Sequence, residues 1–481
     1  MATSEISSSA PLPPSSAKHG DPLERLARLF AAYPGGPPLV RYGGRVAEVA
    51  PSHVLVRGIE RRVELGTSVE VEGGGARWLG EVIGIEADCA NVKLFSSSPR
   101  LGLGAPVWVR DSLEICPDVS WLGRVINALG QPIDNQGPLT SGSLPYSLDH
   151  EPIPPMALDR IRRPIITGVK AIDLFTPICA GQRIGIFAGS GVGKSTLVSM
   201  LARTNGFNTI VIALVAERGR EVREFLEDVV KPHAPRAVTV VASSSEGAMM
   251  RKNAAKTAMA VAEYFRDRGD NVLLVVDSIT RFAHALREVA LAAGEPPVAR
   301  GYAPSVFAEL PRLLERAGPG KPGSGSITGV FSVLLDGEDS NEPVADTVRG
   351  ILDGHIVLDR AIADQGRYPA INPLTSISRL APLAWSKEEA ELVRRLRTIV
   401  ARYEETRDLR AVGAYKAEAD FELDQAVLLT PILYRFLTQL PDDPACPGVF
   451  SELAAVLSEM RNGGGQAREA AGTQVATRAP A

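Results

Sequence analysis

Between Leu39 and about Arg110 the chain is built of short runs rich in Val and Ile, RVAEV, HVLVRG, SVEVE and WLGEVIGIE, separated by Gly-rich turns. Period-two runs punctuated in this way predict a small all-β barrel or sandwich. From about Leu122 to Leu380 the pattern changes, and apolar strands alternate with amphipathic helical stretches. That alternation is the signature of a parallel sheet covered by helices. After Pro382 the pattern is helical: Ser386 and Glu389 form a capping box, and Leu392, Leu396, Ile399 and Tyr403 follow along one face. A second helix is expected from about Leu423. Near the start, Leu23, Leu26, Ala27 and Phe30 recur at helical spacing in PLERLARLFAAY. This short amphipathic helix either caps the next domain or docks a partner. Residues 1–22, rich in Ser and Pro, and residues 463–481, rich in Gly, Ala and polar groups, carry too little apolar surface to offset the entropy of ordering.

The expected organisation is therefore multidomain α/β. A tail (1–22) is followed by a helix and β-barrel domain (23–110), a central α/β domain (111–380), a C-terminal α-helical domain (381–462) and a second tail (463–481). A length of 481 residues agrees, since it exceeds what one hydrophobic core usually supports. With 52 Lys plus Arg against 56 Asp plus Glu, the net charge of −4 argues against a general nucleic-acid binder, which shows a basic excess. Cys89, Cys116, Cys179 and Cys446 lie far apart with no C-x-x-C pair, so neither a zinc site nor a disulfide framework is indicated and a cytoplasmic location fits. The longest apolar stretches, 209–216 and 272–276, fall well short of the roughly 20 residues that span a bilayer. The first residues also lack the apolar segment of a signal peptide.

Candidate chemistry begins in GQRIGIFAGSGVGKSTLVSML, which reads as strand, tight Gly-rich turn and helix, the setting a P-loop requires. Backbone N–H groups along Gly189, Ser190, Gly191, Val192 and Gly193 can surround phosphates. Lys194 reaches the β and γ phosphates, Ser195 ligates Mg²⁺, and Thr196 continues the helix start, whose dipole favours anions. The motif departs from the strict pattern at one place, where Ala188 stands for the first Gly. The second element, NVLLVVDS, is a buried-strand pattern ending in Asp277, a carboxylate that can hold the Mg²⁺ ion through water. The third, TIVIALVAERGREVREF, runs from a buried strand into Glu217, Arg218, Arg220 and Glu221. There a carboxylate either polarises an attacking water or belongs to a solvated helix start, and spacing does not separate the two.

The run from Leu122 to Arg379 resembles the catalytic core of the rotary ATP synthase superfamily, and more closely its protein-export branch, the flagellar and type III secretion ATPases. The matching pieces are LGRVINALGQPID, TGVKAIDLFTP, AGSGVGKST, VAERGREVREF, DSITRFAHALREVALAAGEPP, GYAPSVFAELPRLLERAG and the run from GSITGVFSVLL to LTSISR. By that resemblance Glu217 matches the glutamate that orients the hydrolytic water, with Arg218 following it. Tyr368, in GRYPAI, matches the tyrosine that packs on adenine, and Arg379, in SISR, the arginine finger lent to a neighbouring subunit. The resemblance implies Mg-ATP hydrolysis in the cytoplasm, peripheral to the inner membrane. It also implies a homo-oligomeric, hexameric ring, a stator-like regulator at the N-terminal helix, a central stalk protein, chaperone–substrate complexes and an export gate.

Within the branch, NEPVADTVRGILDGHIVLDRAIADQGRYPAIN looks more like a flagellar enzyme than a virulence-secretion one. The catalytic subunit of the rotary synthase usually carries Thr after the P-loop Lys, where this chain has Ser195. A non-catalytic nucleotide-binding subunit would lack hydrolytic groups, and Lys194, Glu217, Asp277 and Arg379 are all present. A ring helicase such as the transcription terminator Rho offers aromatic groups to RNA from its barrel. Here Tyr42, Trp78, Phe95 and Trp108 show no spacing for a stacking platform.

Overall fold

The computed structural model describes residues 41–335 and 342–459. The amphipathic helix and tail expected before residue 40, and the tail expected after 462, lie outside the described residues. Among the described residues no helix is long and apolar enough to cross a membrane.

The Val-rich runs form a closed six-stranded antiparallel barrel, Gly43–Val49, Val54–Arg57, Ala90–Leu94, Ala76–Ile85, Ser68–Gly73 and Pro106–Val109 in spatial order. Closure comes from Gly43 pairing with Trp108. Alternate side chains, among them Val46, Val56, Val69, Val82 and Val92, fill its interior as a core of its own. Trp78 packs against that core and its indole donates to Gly73 O, so it is part of the barrel wall.

The central region is a nine-stranded sheet whose main path runs Ile377–Ser378, Gly354–Leu358, Arg183–Ala188, Ser326–Leu334, Asn271–Asp277, Thr209–Glu217, Ala237–Ser243 and Val125–Asn127. Its long strands are parallel. They are almost wholly buried, which is why they read as continuous apolar runs rather than alternating ones. One face is covered by Ala248–Asp267, Ile279–Ala292 and Pro304–Leu314. The other is covered by Lys194–Ala202 together with helices of the C-terminal region.

Two C-terminal helices, Lys387–Glu405 and Phe421–Leu437, pack on each other. The first carries the expected capping box, Ser386 Oγ accepting from Glu389 N and Glu389 returning to Ser386 N. The second starts after Asp420, whose carboxylate accepts from Leu423 N. The buried face of the first helix differs from the expected one. Val393, Leu396 and Val400 are inside, and Leu392 and Ile399 sit at its edge. The stripe is rotated by about one residue because Tyr403, instead of entering the core, packs edge-on against Tyr434 of the second helix.

Candidate functional site

The strands Arg183–Ala188, Asn271–Asp277 and Thr209–Glu217 each deliver a functional group at the carboxyl end, the end where open α/β sheets place their ligands. The strand Arg183–Ala188 ends at a turn in which Gly191 (φ 78°) and Gly193 (φ 97°) occupy the left-handed region. Only glycine takes that backbone without strain. Gly193 is the N-cap of the helix Lys194–Ala202, so the free N–H groups of the loop and of the first helical turn point into one concavity. Ala188 is the last residue of the buried strand, paired with Leu334 on one side and Leu358 on the other. The loop proper begins at Gly189, and the motif's departure at Ala188 costs it nothing. Val192 is 3% exposed and its side chain belongs to the core, leaving only its backbone for a ligand. Ser195 is exposed at the helix start.

Two strands away, Asp277 ends Asn271–Asp277. It is 3% exposed, pairs with Lys194 (Nζ to Oδ1, 2.5 Å) and accepts from Ser332 Oγ at 2.7 Å. On the next strand the ladder with Ala237–Ser243 slips between Val215 and Glu217, and Ala216 sits at φ 56°. This bulge, with an alanine held in the left-handed region at a cost of about 1 kcal/mol, re-aims Glu217. The Glu217 carboxylate pairs with Arg281 (Oε1 to Nη1, 2.6 Å), whose guanidinium also donates to Ala216 O at 2.7 Å. Burial and the nearby charge of Asp277 push the Glu217 carboxyl above its ordinary range, and the Arg281 and Lys194 charges only partly offset this.

Lys194, Ser195, Glu217, Asp277 and Arg281 line one cavity of about 660 Å³. A cation clamp beside a carboxylate that burial has made more basic suits binding of a polyphosphate and polarisation of a water. The exposed hydroxyl of Ser195 and the carboxylate of Asp277 form a hard oxygen donor set of the kind Mg²⁺ takes.

The remaining expected residues lie elsewhere. Arg218 turns outward, its side chain 80% exposed and paired with Glu221 at 3.1 Å; Glu221 itself reaches the cavity wall. Tyr368 lies across the P-loop, where a Cβ added at Gly193 would stand 3.6 Å from its ring. Arg379 is exposed and follows Ser378, which pairs with Gly354 at the amino end of the strand Gly354–Leu358; the P-loop follows Ala188, which pairs with Leu358 at that strand's other end. Arg379 is therefore not part of the cavity its own chain forms.

Sequence reasoning missed Arg281 and Ser332. Arg281 is the third residue of a helix capped by Ser278, where a cation opposes the helix dipole and calls for a carboxylate nearby. Ser332 is fully buried within an apolar strand, a position that requires a polar partner.

Residues 168–378 match the nucleotide-binding domain of the ATP synthase alpha/beta family, and residues 385–448 match the C-terminal domain of the EscN ATPase of type III secretion. The flagellum-specific ATP synthase of Agrobacterium fabrum is 53% identical over 435 residues, covering 90% of this chain and 92% of that one. Among solved structures, the assembled ATPase EscN from the type III secretion system of enteropathogenic E. coli is 37% identical, with a TM-score of 0.80 over 86% of this chain and 99% of EscN. The same ATPase in complex with its central stalk EscO gives a TM-score of 0.77.

Proposed function

We propose that this chain, which belongs to the ATP synthase alpha/beta family in the branch of the flagellum-specific and type III secretion ATPases, hydrolyses Mg-ATP to assist export of flagellar proteins. The observation that carries the reading is the meeting of Lys194, Asp277 and Glu217 in one cavity at the carboxyl ends of parallel strands. Lys194 and the loop amides neutralise the β and γ phosphates. Ser195, and Asp277 through water, hold Mg²⁺, which supplies charge neutralisation at the transferring phosphoryl group. Glu217 accepts hydrogen bonding from the attacking water and orients it. Tyr368 packs on the adenine.

The site is completed by a second copy of the chain, whose Arg379 meets the γ-phosphate as charge spreads during transfer, and six copies close a ring. The barrel up to residue 110 and the helical region from 381 flank the ATPase domain in each copy. The chain works in the cytoplasm at the inner membrane. It contacts a stator-like regulator through its N-terminal helix, a central stalk as EscN does with EscO, chaperone–substrate complexes and the export gate. The flagellar assignment is favoured over virulence secretion by 53% identity to a flagellum-specific enzyme against 42% to the type 3 secretion system ATPase of Xanthomonas euvesicatoria.

The test is genetic and enzymatic together. Deleting the gene is expected to abolish hook and filament export, and the wild-type copy to restore it. The Glu217→Gln copy is expected to restore neither export nor ATPase activity of the purified protein. A motile deletion strain sinks the flagellar reading; a fully active Glu217→Gln enzyme sinks the site.

A further inference from the structure

Gln439, two residues beyond the helix Phe421–Leu437, is 3% exposed and makes hydrogen bonds with two separate parts of the chain. Its Oε1 accepts from Lys170 N at 3.1 Å, and its Nε2 donates to Gly168 O at 2.9 Å. Its own backbone N–H donates to Tyr368 O at 2.7 Å. The Lys170 amide opens the helix Lys170–Phe175, whose N-cap Val169 offers no side-chain acceptor, so the Gln439 amide supplies the missing cap from 269 residues away. The loop it grips is itself fixed. Asp173 accepts from Thr167 N, Thr167 Oγ1 and Gly168 N at 2.7–2.9 Å.

The side chain of Gln439 thus pins its backbone to a rigid loop, and that backbone in turn holds the carbonyl of Tyr368. The neighbouring Arg367 is held by the same helix, its guanidinium 3.6 Å from the Tyr434 ring centroid. Tyr368 is 36% exposed and its ring faces Gly193. The same segment reaches the far end of the P-loop helix, where Arg203 donates to Pro441 O and pairs with Asp442 at 2.9 Å.

We infer that Gln439 is a positioning residue for nucleotide binding: it ties the end of the helix Phe421–Leu437 to Tyr368 and fixes where that ring stands beside the P-loop to receive the base. The inference rests on the reading of Tyr368 as the adenine platform. It assigns the placement of the ring to an amide that touches no substrate. A nucleotide loses the base contact when the amide is lost, while its phosphates are still bound by the P-loop.

The experiment compares Gln439→Met, close in volume and without hydrogen-bonding groups, and Gln439→Asn, too short to reach both partners, with the wild type. The readouts are steady-state ATP hydrolysis and competitive inhibition by inorganic tripolyphosphate, which has phosphates and no base. In both variants KM for ATP is expected to rise about tenfold while kcat stays within about threefold, the pattern of lost binding that is equal in ground and transition states. The inhibition constant of tripolyphosphate is expected to stay within about twofold, since its contacts lie at the P-loop and helix start. In a Tyr368→Ala background the Gln439→Met change is expected to add nothing further to KM. An unchanged KM in either folded variant overturns the proposal, and so does equal weakening of ATP and tripolyphosphate, which marks a general loosening of the loop. The Tyr368→Ala variant alone separates the two possible failures. If it also leaves KM unchanged, the adenine platform is wrong; if it raises KM and the Gln439 variants do not, only the role of Gln439 is wrong.

Discussion

Lys194 and Asp277 neutralise one another across the phosphate site, Nζ to Oδ1 at 2.5 Å, with side chains 14% and 4% exposed. On the proposed reading, the cation for the γ-phosphate is held by the carboxylate for the metal. A polyphosphate arriving with its Mg²⁺ can therefore satisfy both partners at once, and no charge is left bare in either state.

Replacing Lys194 with Ala removes the point charge on the phosphates and leaves Asp277 without its cation. ATPase activity is expected to fall at least about 10²-fold, the usual scale for such a preorganised group. Calorimetry of the nucleotide-free protein is expected to show a lower Tm, recovered in large part by adding Asp277→Asn. Retention of more than about a tenth of the wild-type rate would remove Lys194 from the site, since no surface lysine carries that much electrostatic stabilisation.

Glu217 gives a pH-dependent prediction. Burial, with the Asp277 charge, raises its native carboxyl above the ordinary value of 4.5. A group raised on folding contributes stability below its unfolded value and loses that contribution as pH climbs through its native value. Glu217→Gln, which cannot ionise, is therefore expected to melt above the wild type at pH 8, with the gap closing towards pH 4.5. Melts of both nucleotide-free proteins over that range decide it, and a gap that widens on acidification reverses the sign and refutes the burial argument.

Ala216 holds Glu217 in place with φ 56° in the left-handed region. A β-branched residue resists that conformation more than alanine does, so Ala216→Val is expected to lower stability by about 1–3 kcal/mol. It should also cut turnover by re-aiming the carboxylate. Ala216→Gly relieves the strain and is expected to keep both within a few tenths of the wild type. Equal activity in the two variants, measured beside their melting temperatures, contradicts the view that the bulge aims Glu217.

The architecture was legible because each region declares its period: two in the barrel, continuous apolar runs in the sheet, and capping box plus amphipathic stripe at Ser386. Gly191 and Gly193 were legible as a loop because glycine is the residue that takes a positive φ without strain. Arg379 was legible only by resemblance, since an exposed arginine after a two-residue strand has no local signature. Arg281 escaped because its partner Glu217 lies 64 positions earlier and is brought near only by strand order, Thr209–Glu217 lying beside Asn271–Asp277. The stripe on Lys387–Glu405 was misread by about one residue because hydrophobicity alone does not tell a core aromatic from one, such as Tyr403, that packs on a partner helix.

The barrel is joined to the sheet domain by a buried ion pair, Lys252 Nζ to Glu81 Oε1 at 2.6 Å, with side chains 7% and 9% exposed. Removing one partner strands the other charge, so Lys252→Met is expected to cost about 3–5 kcal/mol in urea unfolding. The double change Lys252→Met with Glu81→Leu is expected to recover most of it, because paired apolar groups replace a buried ion pair at little cost. A small loss in the single variant means water reaches Glu81.

Arg379 sits at the amino end of Gly354–Leu358, while the P-loop sits at the carboxyl end of the adjoining strand Arg183–Ala188, four residues further along, or about 13 Å at strand rise. On the proposed reading its guanidinium meets a phosphate bound by another copy. Arg379→Ala is expected to leave nucleotide binding nearly intact and to reduce kcat by roughly 10³-fold, because the finger acts as charge develops in transfer. Glu217→Gln is expected to be equally inactive for a different reason, the loss of the group that orients water. When the two inactive variants are mixed under conditions that exchange subunits, some interfaces pair an intact Glu217 with an intact Arg379. Activity is then expected to reappear well above the sum of the separate preparations and to vary with the mixing ratio, peaking near equal amounts. If the mixture never exceeds that sum while labelled subunits demonstrably exchange, each chain completes its own site, and Arg379 has no part in joining one copy's chemistry to the next.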